Sequence, residues 1–336
     1  NSVAVIESGV FVVGVDGSEG VPATSLRKLS LSAGVLAWQA QFASNGESAA
    51  ECIHANADGS AVVGGLVDGE AGGLEGFKSY GNPISGTAAV SYFSASQLAA
   101  DSAPLQPEQQ WTFPGLTSVR AIKPLADGGY VVLTAKDEEH YVVLRIDSQG
   151  QELWRSELSD HGEATDIAVL TLQGEEQGFA VTGHKGNNGG IDGSISKLEL
   201  DGSVAWTVQH GDPYGGVGEF SGLDAGNPEL IFDECWGIQP TDDGGAVVSC
   251  GTGIEGCDGL AALSIACNSD PRRKWRSLLI AVDADGRATW HRADSYIFPG
   301  ETEAAASAAE HIIRGPSGQL AAVIDQDFGI GLLVLE

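Results

Sequence analysis

Positive charge is scarce in this 336-residue sequence, since 17 Lys plus Arg face 46 Asp plus Glu, for a net charge of −29. A field of that sign repels phosphate backbones and anionic lipid surfaces, so nucleic acid is not an expected partner. No apolar run approaches the roughly 18 residues that span a bilayer, which argues against membrane insertion. Methionine is absent even at position 1, and we interpret Asn1 as a processed end or the start of a fragment.

Familiar catalytic signatures are also missing. The sequence has no GxSxG elbow, no HExxH motif and no Walker A loop. A GxGxxG string at Gly251, Gly253 and Gly256 opens a cysteine-bearing segment rather than a helix, so we interpret it as chance. The sequence therefore does not favour a nucleophilic hydrolase, a zinc protease or a nucleotide-binding enzyme.

The five cysteines fit no zinc pattern, because no CxxC pair or close Cys/His set occurs. Cys235 and Cys250 flank the turn 241–244 symmetrically, which predicts a disulfide across a hairpin. A second predicted disulfide, Cys257–Cys267, would close the following loop and leave Cys52 as a buried thiol. Both disulfides suit an oxidising compartment, and a fully reduced set of core cysteines is the alternative.

Glycine is abundant, at 47 residues, and it separates short apolar or alternating runs. Between Gly178 and Gly251 these runs are FAVTG, SISKLEL, VAWTV, CWGIQ and AVVSC. Such runs between Gly and Asp turn signals are typical of antiparallel strands. The same unit recurs along the chain, and repetition of a four-stranded unit predicts a β-propeller.

We predict an all-β fold, a single β-propeller domain over 1–336 with about six four-stranded antiparallel blades, or seven if an insert hides strands. A tryptophan recurs in the fourth strand of the first five units and is interpreted as structural. The last unit ends after three strands. The units are approximately 2–42, 48–113, 116–158, 163–210, 230–294 and 304–336, with tryptophans at Trp38, Trp111, Trp154, Trp206 and Trp290.

Residues 119–251 carry a family resemblance. They contain a Lys-Leu strand end, an Asp-Gly turn, a Trp strand, a Gly-Gly loop, and an Asp-Glu pair that precedes a Thr-x-Asp-Gly-Gly turn. The matching residues are 197–200, Asp201-Gly202, Trp206, Gly215-Gly216, Asp233-Glu234, Ile238, Thr241 and Asp243-Gly244-Gly245. Ala246 departs from the final Tyr of the pattern. The chain thus resembles propeller repeats of secreted and surface-anchored bacterial and archaeal proteins. The resemblance implies a scaffold outside the cytoplasm and specifies no activity.

The connections between predicted strands fall into two classes. One end of each unit has tight Asp-Gly turns, which supply φ > 0 and lack the spacing of an EF-hand calcium loop. The other end holds every long insert, which predicts the functional face because binding residues concentrate on long loops of a rigid scaffold. These inserts are 66–85, 183–192, 211–230, 251–274 and 296–306.

Polar residues on that face are the candidate site. Carboxylates and a histidine that converge on a pocket could perform general acid/base chemistry or bind a cation. The alternative for each residue is an acidic, solvated rim. The catalytic candidates are His161, Glu163, Asp166, Asp212, Tyr214 and Glu234; the ligand-binding candidates are His184, Tyr214, Trp236 and Asp137; and weak Ca²⁺ candidates are Asp212, Asp233 and Glu234.

Two functions follow as hypotheses. The first is an extracellular or cell-surface binding module that recognises a glycan, a protein or a surface polymer through its long-loop face. The second is a carbohydrate-active enzyme, a glycoside hydrolase or polysaccharide lyase, that uses carboxylates, His and Tyr at the channel mouth. No cofactor is firmly expected, although Ca²⁺ could lock the long loops.

Overall fold

The fold is described from a computed structural model of the chain. The structure describes residues 2–335 apart from 18–20, 43, 73, 75–84, 105, 138, 188–189, 212–230, 255–274, 296–304, 316–317 and 327–328. The chain forms two compact units, 1–158 and 159–336, and each is described by itself.

The first unit contains three four-stranded antiparallel sheets and one short helix. In each sheet, strands that are consecutive in sequence are neighbours, so successive connections alternate between its two ends. The strands are β1 (Ser2–Ile6), β2 (Gly9–Asp16), β3 (Ala23–Leu29), β4 (Leu36–Phe42), β5 (Glu47–Ala55), β6 (Ala61–Gly69), β7 (Thr87–Phe93), β8 (Gln109–Phe113), β9 (Ser118–Pro124), β10 (Tyr130–Ala135), β11 (Tyr141–Ile146) and β12 (Glu152–Glu157), and the helix is α1 (Ala95–Ala99).

The second unit contains an eight-stranded and a three-stranded sheet. The larger sheet is two four-stranded groups, β13–β16 and β17–β20, joined by a parallel bridge between Ile191 and Phe232. The strands are β13 (Glu163–Leu172), β14 (Glu175–Asn187), β15 (Gly190–Leu198), β16 (Val204–His210), β17 (Ile231–Pro240), β18 (Ala246–Ile254), β19 (Arg276–Val282), β20 (Ala288–Asp294), β21 (Ser307–Arg314), β22 (Leu320–Gln326) and β23 (Gly329–Leu335).

The all-β prediction is confirmed, but the predicted number of six or seven separate blades is not matched. Five sheets are present among the described residues, because the bridge at Ile191 merges two groups of strands into one sheet. The strands of the predicted insert 183–192 also extend further than expected, since β14 continues to Asn187 and β15 begins at Gly190.

The core lies between sheets, where alternate residues of neighbouring strands interdigitate. Phe11, Leu26 and Phe93 are fully buried between the first two sheets. Val132, Leu144 and their neighbours fill the space between the second and third. Each such side chain contributes about 1.5–3 kcal/mol relative to remaining exposed. This packing makes each sheet a rigid support for the residues at its ends.

The tight turns have the predicted conformation. Gly128 has φ 85°, and the Asp127 carboxylate accepts a 3.0 Å hydrogen bond from the Gly129 amide. That hydrogen bond is the main cause that lowers the pKa of Asp127, assisted by Arg145. The carboxylates in these turns therefore stabilise the backbone locally, as the sequence indicated.

The recurring tryptophans have structural contacts. The Trp38 indole donates a 3.1 Å hydrogen bond to the Ala100 carbonyl just after α1, and the Trp206 indole donates one of 3.2 Å to the Ala284 carbonyl. Trp38 thus ties the outer strand of the first sheet to a connection in the second, and Trp206 ties β16 to the turn between β19 and β20.

Candidate functional site

A β-bulge recurs in the first strand of five strand groups. In β5, β9, β13, β17 and β21 the pairing with the second strand skips one residue at the same place. A bulge leaves its extra residue out of the ladder and redirects its side chain. The bulged residues are Glu51, Arg120, Thr165, Trp236 and Glu310.

These bulged positions are functionally informative because the first strands pack against one another. In the first unit β5 packs against β9, and in the second unit β17 packs against both β13 and β21. The aligned residues are chemically unlike, whereas the isoleucine two positions later is the same in all five strands: Ile53, Ile122, Ile167, Ile238 and Ile312. The fold therefore holds the isoleucine constant and leaves the bulged residue variable.

In the first unit the bulged residues form an ion pair. Arg120 Nη1 lies 3.2 Å from Glu51 Oε2, and both side chains are mostly buried. Burial raises the pKa of Glu51, although the Arg120 charge acts in the opposite direction. The two charges are therefore buried away from water, and each is stabilised by the opposite charge of the other.

The second unit brings together a group that we name the inner acidic site: Glu163, His184, Glu234 and Glu310. Glu163 of β13 lies opposite His184 of β14 in the strand register, and His184 Nε2 is 3.2 Å from Glu163 Oε2. Glu234 lies on β17 and Glu310 on β21. Three successive first strands thus contribute one carboxylate each.

Charges within the inner acidic site influence one another. Burial lowers the pKa of His184, but the hydrogen bond and charge of Glu163, with the charge of Glu234, outweigh it, and the net pKa is raised. Desolvation, then the charges of Asp325 and Glu234, raise the pKa of Glu310. The negative charge of Glu234 thus contributes to the raised pKa of both His184 and Glu310.

Two predicted catalytic residues, His161 and Asp166, lie in the interior of the second unit. His161 is fully buried with its Nδ1 2.7 Å from Ser196 Oγ, and burial lowers its pKa to about 4. Asp166 is 5% exposed and accepts backbone hydrogen bonds from Ile167 and from Ile238 of β17. His161 thus ties the segment before β13 to β15, and Asp166 ties β13 to β17.

The predicted ligand-binding residues are dispersed. Asp137 lies in the first unit, where its carboxylate accepts hydrogen bonds from the Glu139 and His140 amides and closes a local turn. Trp236 is a bulged residue whose ring lies 6.5 Å from that of Trp275. Only His184 of this set joins the inner acidic site, while Tyr214 lies outside the described residues.

The cation and disulfide predictions have different outcomes. Within the described ranges, no three His, Cys, Asp or Glu side chains form a group that could hold a metal. Asp233 is buried beside Glu234, and Asp212 is outside those ranges, so Ca²⁺ binding stays a prediction. The Cys235–Cys250 disulfide is confirmed across paired positions of β17 and β18, whereas Cys257 and Cys267 lie outside the described residues.

Comparison with known proteins supports the fold. No protein-family model matches the chain. No curated protein matches it either. Among solved structures, the chain is similar to the β-propeller domain of the Trilobed protease from Pyrococcus furiosus, with 7% identity and a TM-score of 0.50 over 100% of this chain and 82% of that one. It is also similar to a protein of unknown function from Bacteroides caccae, with 11% identity and a TM-score of 0.47 over 92% and 81% of the two chains.

At such identities a structural likeness shows the fold alone. The chain is an all-β protein with the β-propeller fold, built from four-stranded antiparallel blades. Among the described residues, no helix is long and apolar enough to cross a membrane. Propellers host many activities, so function has to be argued from the sites.

Proposed function

We propose that this chain is an extracellular or cell-surface propeller, a single domain over 1–336, that binds a glycan or a protein. The group that it recognises is a positively charged group of that ligand. The observation that carries the proposal is the inner acidic site, where Glu163, Glu234 and Glu310 come from three adjacent first strands. An amine or guanidinium would be attracted by the combined negative charge of these carboxylates. The Cys235–Cys250 disulfide is compatible with an oxidising location.

The pKa of His184 adds a prediction about pH. Because Glu163 and Glu234 raise this pKa, His184 carries a positive charge at mildly acidic pH and competes there with a cationic ligand. Affinity for an amine should therefore increase as the pH rises through the titration of His184. A flat pH profile across that range would contradict a role for His184.

Binding of a glucosamine hexamer, measured by calorimetry at physiological salt, tests the proposal. We expect the double variant E163Q/E234Q to bind at least about tenfold more weakly than the wild type, a loss of about 1.4 kcal/mol. The N-acetylated hexamer, which lacks the amines, should bind weakly to both proteins. A lysine hexapeptide used in parallel distinguishes a protein-like ligand from a glycan.

A matched control is required because a net charge of −29 attracts any polycation. Glu175 is exposed and Glu176 is partly exposed, and both lie at the opposite end of the β13–β14 hairpin from Glu163. The double variant E175Q/E176Q therefore removes the same number of charges as E163Q/E234Q, from the far end of the hairpin that carries Glu163, without changing the site. If both double variants weaken binding equally, the attraction is non-specific and the proposed site is wrong.

A carbohydrate-active enzyme is the second candidate function. The hydrogen bond between Glu163 and His184, with the raised pKa of Glu310, provides groups that could transfer protons. Release of new reducing ends from the glucosamine hexamer, and loss of that release in E163Q, would favour the enzyme over the binding module.

A further inference from the structure

The first unit contains an open groove, which we name the side groove, between the outer parts of its first two sheets. It has a volume of about 800 Å³, within the range typical of ligand sites. One wall is formed by Thr24 and Phe42 of the first sheet, and the other by residues of all four strands of the second, with the largest share from β6 and from the segment that contains β8. The side groove is separate from the inner acidic site, which lies in the second unit. It also extends along β8 and is therefore not confined to the long-loop end of the blade.

The side groove is less densely filled with side chains than the space between sheets elsewhere in the unit. Protein interiors are close-packed, and large side chains normally fill the space between sheets. Here β6 and β7 contribute Gly65, Ala89 and Ser91. A Cβ on Gly65 would lie 1.9 Å from the Ala49 carbonyl oxygen, so the approach of β5 excludes a larger residue at that position.

The lining combines apolar and polar surface. Nine of the 21 lining residues carry a side-chain amide or hydroxyl, including Gln41, Asn45, Ser91, Gln110 and Thr112, whereas ten are apolar or glycine and two are acidic. The Gln110 amide donates a 3.1 Å hydrogen bond to Ser91 Oγ, which holds both groups against the groove wall. An amide offers donors and an acceptor together, and a hydroxyl does the same, so this wall matches a ligand that is rich in hydroxyls.

The acidic residues and the aromatic ring in the lining of the side groove indicate which class of ligand it could bind. Asp68 and Glu108 are acidic, and none of the described residues that line the groove is Lys or Arg. Phosphorylated, sulfated and uronic acid ligands would be repelled.

Phe42 lines the groove, is only partly buried and packs against Phe93 at 5.2 Å between ring centroids. Its ring supplies an apolar surface of the kind that stacks on the C–H face of a sugar.

We propose that the side groove binds a neutral oligosaccharide. The amides and hydroxyls of β7 and β8 hydrogen-bond its hydroxyl groups, and Phe42 contacts a sugar face. This inference goes beyond the inner acidic site, since it concerns the other unit, a different chemistry and an uncharged ligand.

The test uses four neutral hexasaccharides, those of glucose, mannose, galactose and xylose, with binding measured by calorimetry and saturation-transfer NMR. Gln110→Leu removes the side-chain amide that donates a hydrogen bond to Ser91. Leucine is compatible with this strand position because Leu153 occupies the equivalent place, directly before Trp154. We expect the wild type to bind at least one hexasaccharide and Q110L to bind it about tenfold more weakly. Ser91→Trp, which fills the groove, should abolish binding.

Gln39→Leu is the matched control, because it removes an exposed amide from the outer strand of the first sheet outside the groove. Q39L should bind like the wild type, and E163Q/E234Q should do so too, which separates this inference from the proposed function. The inference is overturned if no hexasaccharide binds the wild type, or if Q110L and S91W, folded by circular dichroism, bind as the wild type does. Binding of an uncharged extended peptide in place of every sugar would also overturn the carbohydrate class.

Discussion

Glu51 and Arg120 occupy the same structural position on neighbouring strands, and their side chains meet at 3.2 Å inside the first unit. Each is the bulged residue of its strand. Neither charge can be removed alone without leaving the other in a desolvated environment.

We therefore expect Arg120→Met to destabilise the protein by about 3–5 kcal/mol, because it leaves a buried carboxylate without its counter-charge. The double variant E51Q/R120M should recover most of this loss. Urea unfolding measured on the single and double variants gives the coupling energy. A double variant no more stable than R120M would show that the ion pair is not the cause.

The stability of R120M should also depend on pH. Burial raises the pKa of Glu51, so the folded state binds a proton more tightly than the unfolded state. The stability is therefore greatest below the unfolded-state pKa and decreases as the pH rises from that value through the folded-state pKa. Unfolding measured over this range should show R120M approaching the wild type in acid. E51Q/R120M should lack that trend.

The Gly150 turn offers a comparison of two glycines. Both Gly150 and Gly115 have φ near 80° and lie in the first unit. A Cβ on Gly150 would lie 2.1 Å from Trp111 Cγ, whereas one on Gly115 would have nothing within 4 Å. We expect G115A to cost about 1 kcal/mol from backbone strain, and G150A about 1–3 kcal/mol more from the clash. Equal losses in urea unfolding would contradict the structural role of Trp111.

His161 should make stability fall in acid. Burial lowers its folded-state pKa to about 4, from 6.5 for an exposed imidazole. The unfolded state binds the proton first, so stability is complete above the unfolded-state pKa and falls by up to about 1.4 kcal/mol per pH unit between those two values. The variant H161Q keeps a hydrogen-bonding group near Ser196, and its stability should change less over this interval. An unchanged pH profile would mean that other groups dominate.

The Cys235–Cys250 disulfide should stabilise the second unit under oxidising conditions. It closes a short loop, with a sequence separation of 15, and both cysteines are fully buried. We expect C235A/C250A to lose about 3 kcal/mol. Thermal melting with and without reductant is the measurement, and C52A is the control, since its response to reductant should equal that of the wild type. Insensitivity of the wild type to complete reduction would contradict this prediction.

Much of the fold could be predicted from the sequence because turns and strand patterns are local signals. Asp127 and Gly128 illustrate this, since their residue types alone select the turn conformation that the structure shows. The hairpin disulfide follows from symmetric spacing about a turn. The merged sheet could not be predicted, because it depends on one bridge between Ile191 and Phe232, which are far apart in sequence.

The candidate site was predicted in part. The sequence predicts Glu163, Glu234 and His184 as site candidates because they are polar residues on the long-loop face. It does not predict Glu310 or the ion pair of Glu51 with Arg120. A bulge adds one residue to a strand without changing its composition, so no alternation pattern marks it. Alignment of the repeats on the common isoleucine would have revealed the position, since residues as different as Glu51, Arg120 and Trp236 stand two places before it.

The recurring bulge has a consequence for how such a protein can change over time. Because the bulged residue takes no part in the ladder, exchanging it leaves the strand pairing that defines the fold intact. These positions can therefore be exchanged, alone or together with a charged partner as for Glu51 and Arg120, while isoleucines such as Ile122 and Ile238 preserve the packing beneath them. Core packing and variable side-chain chemistry thereby fall at separate positions of the same strand, so the chemistry can be exchanged without changing the strand pairing.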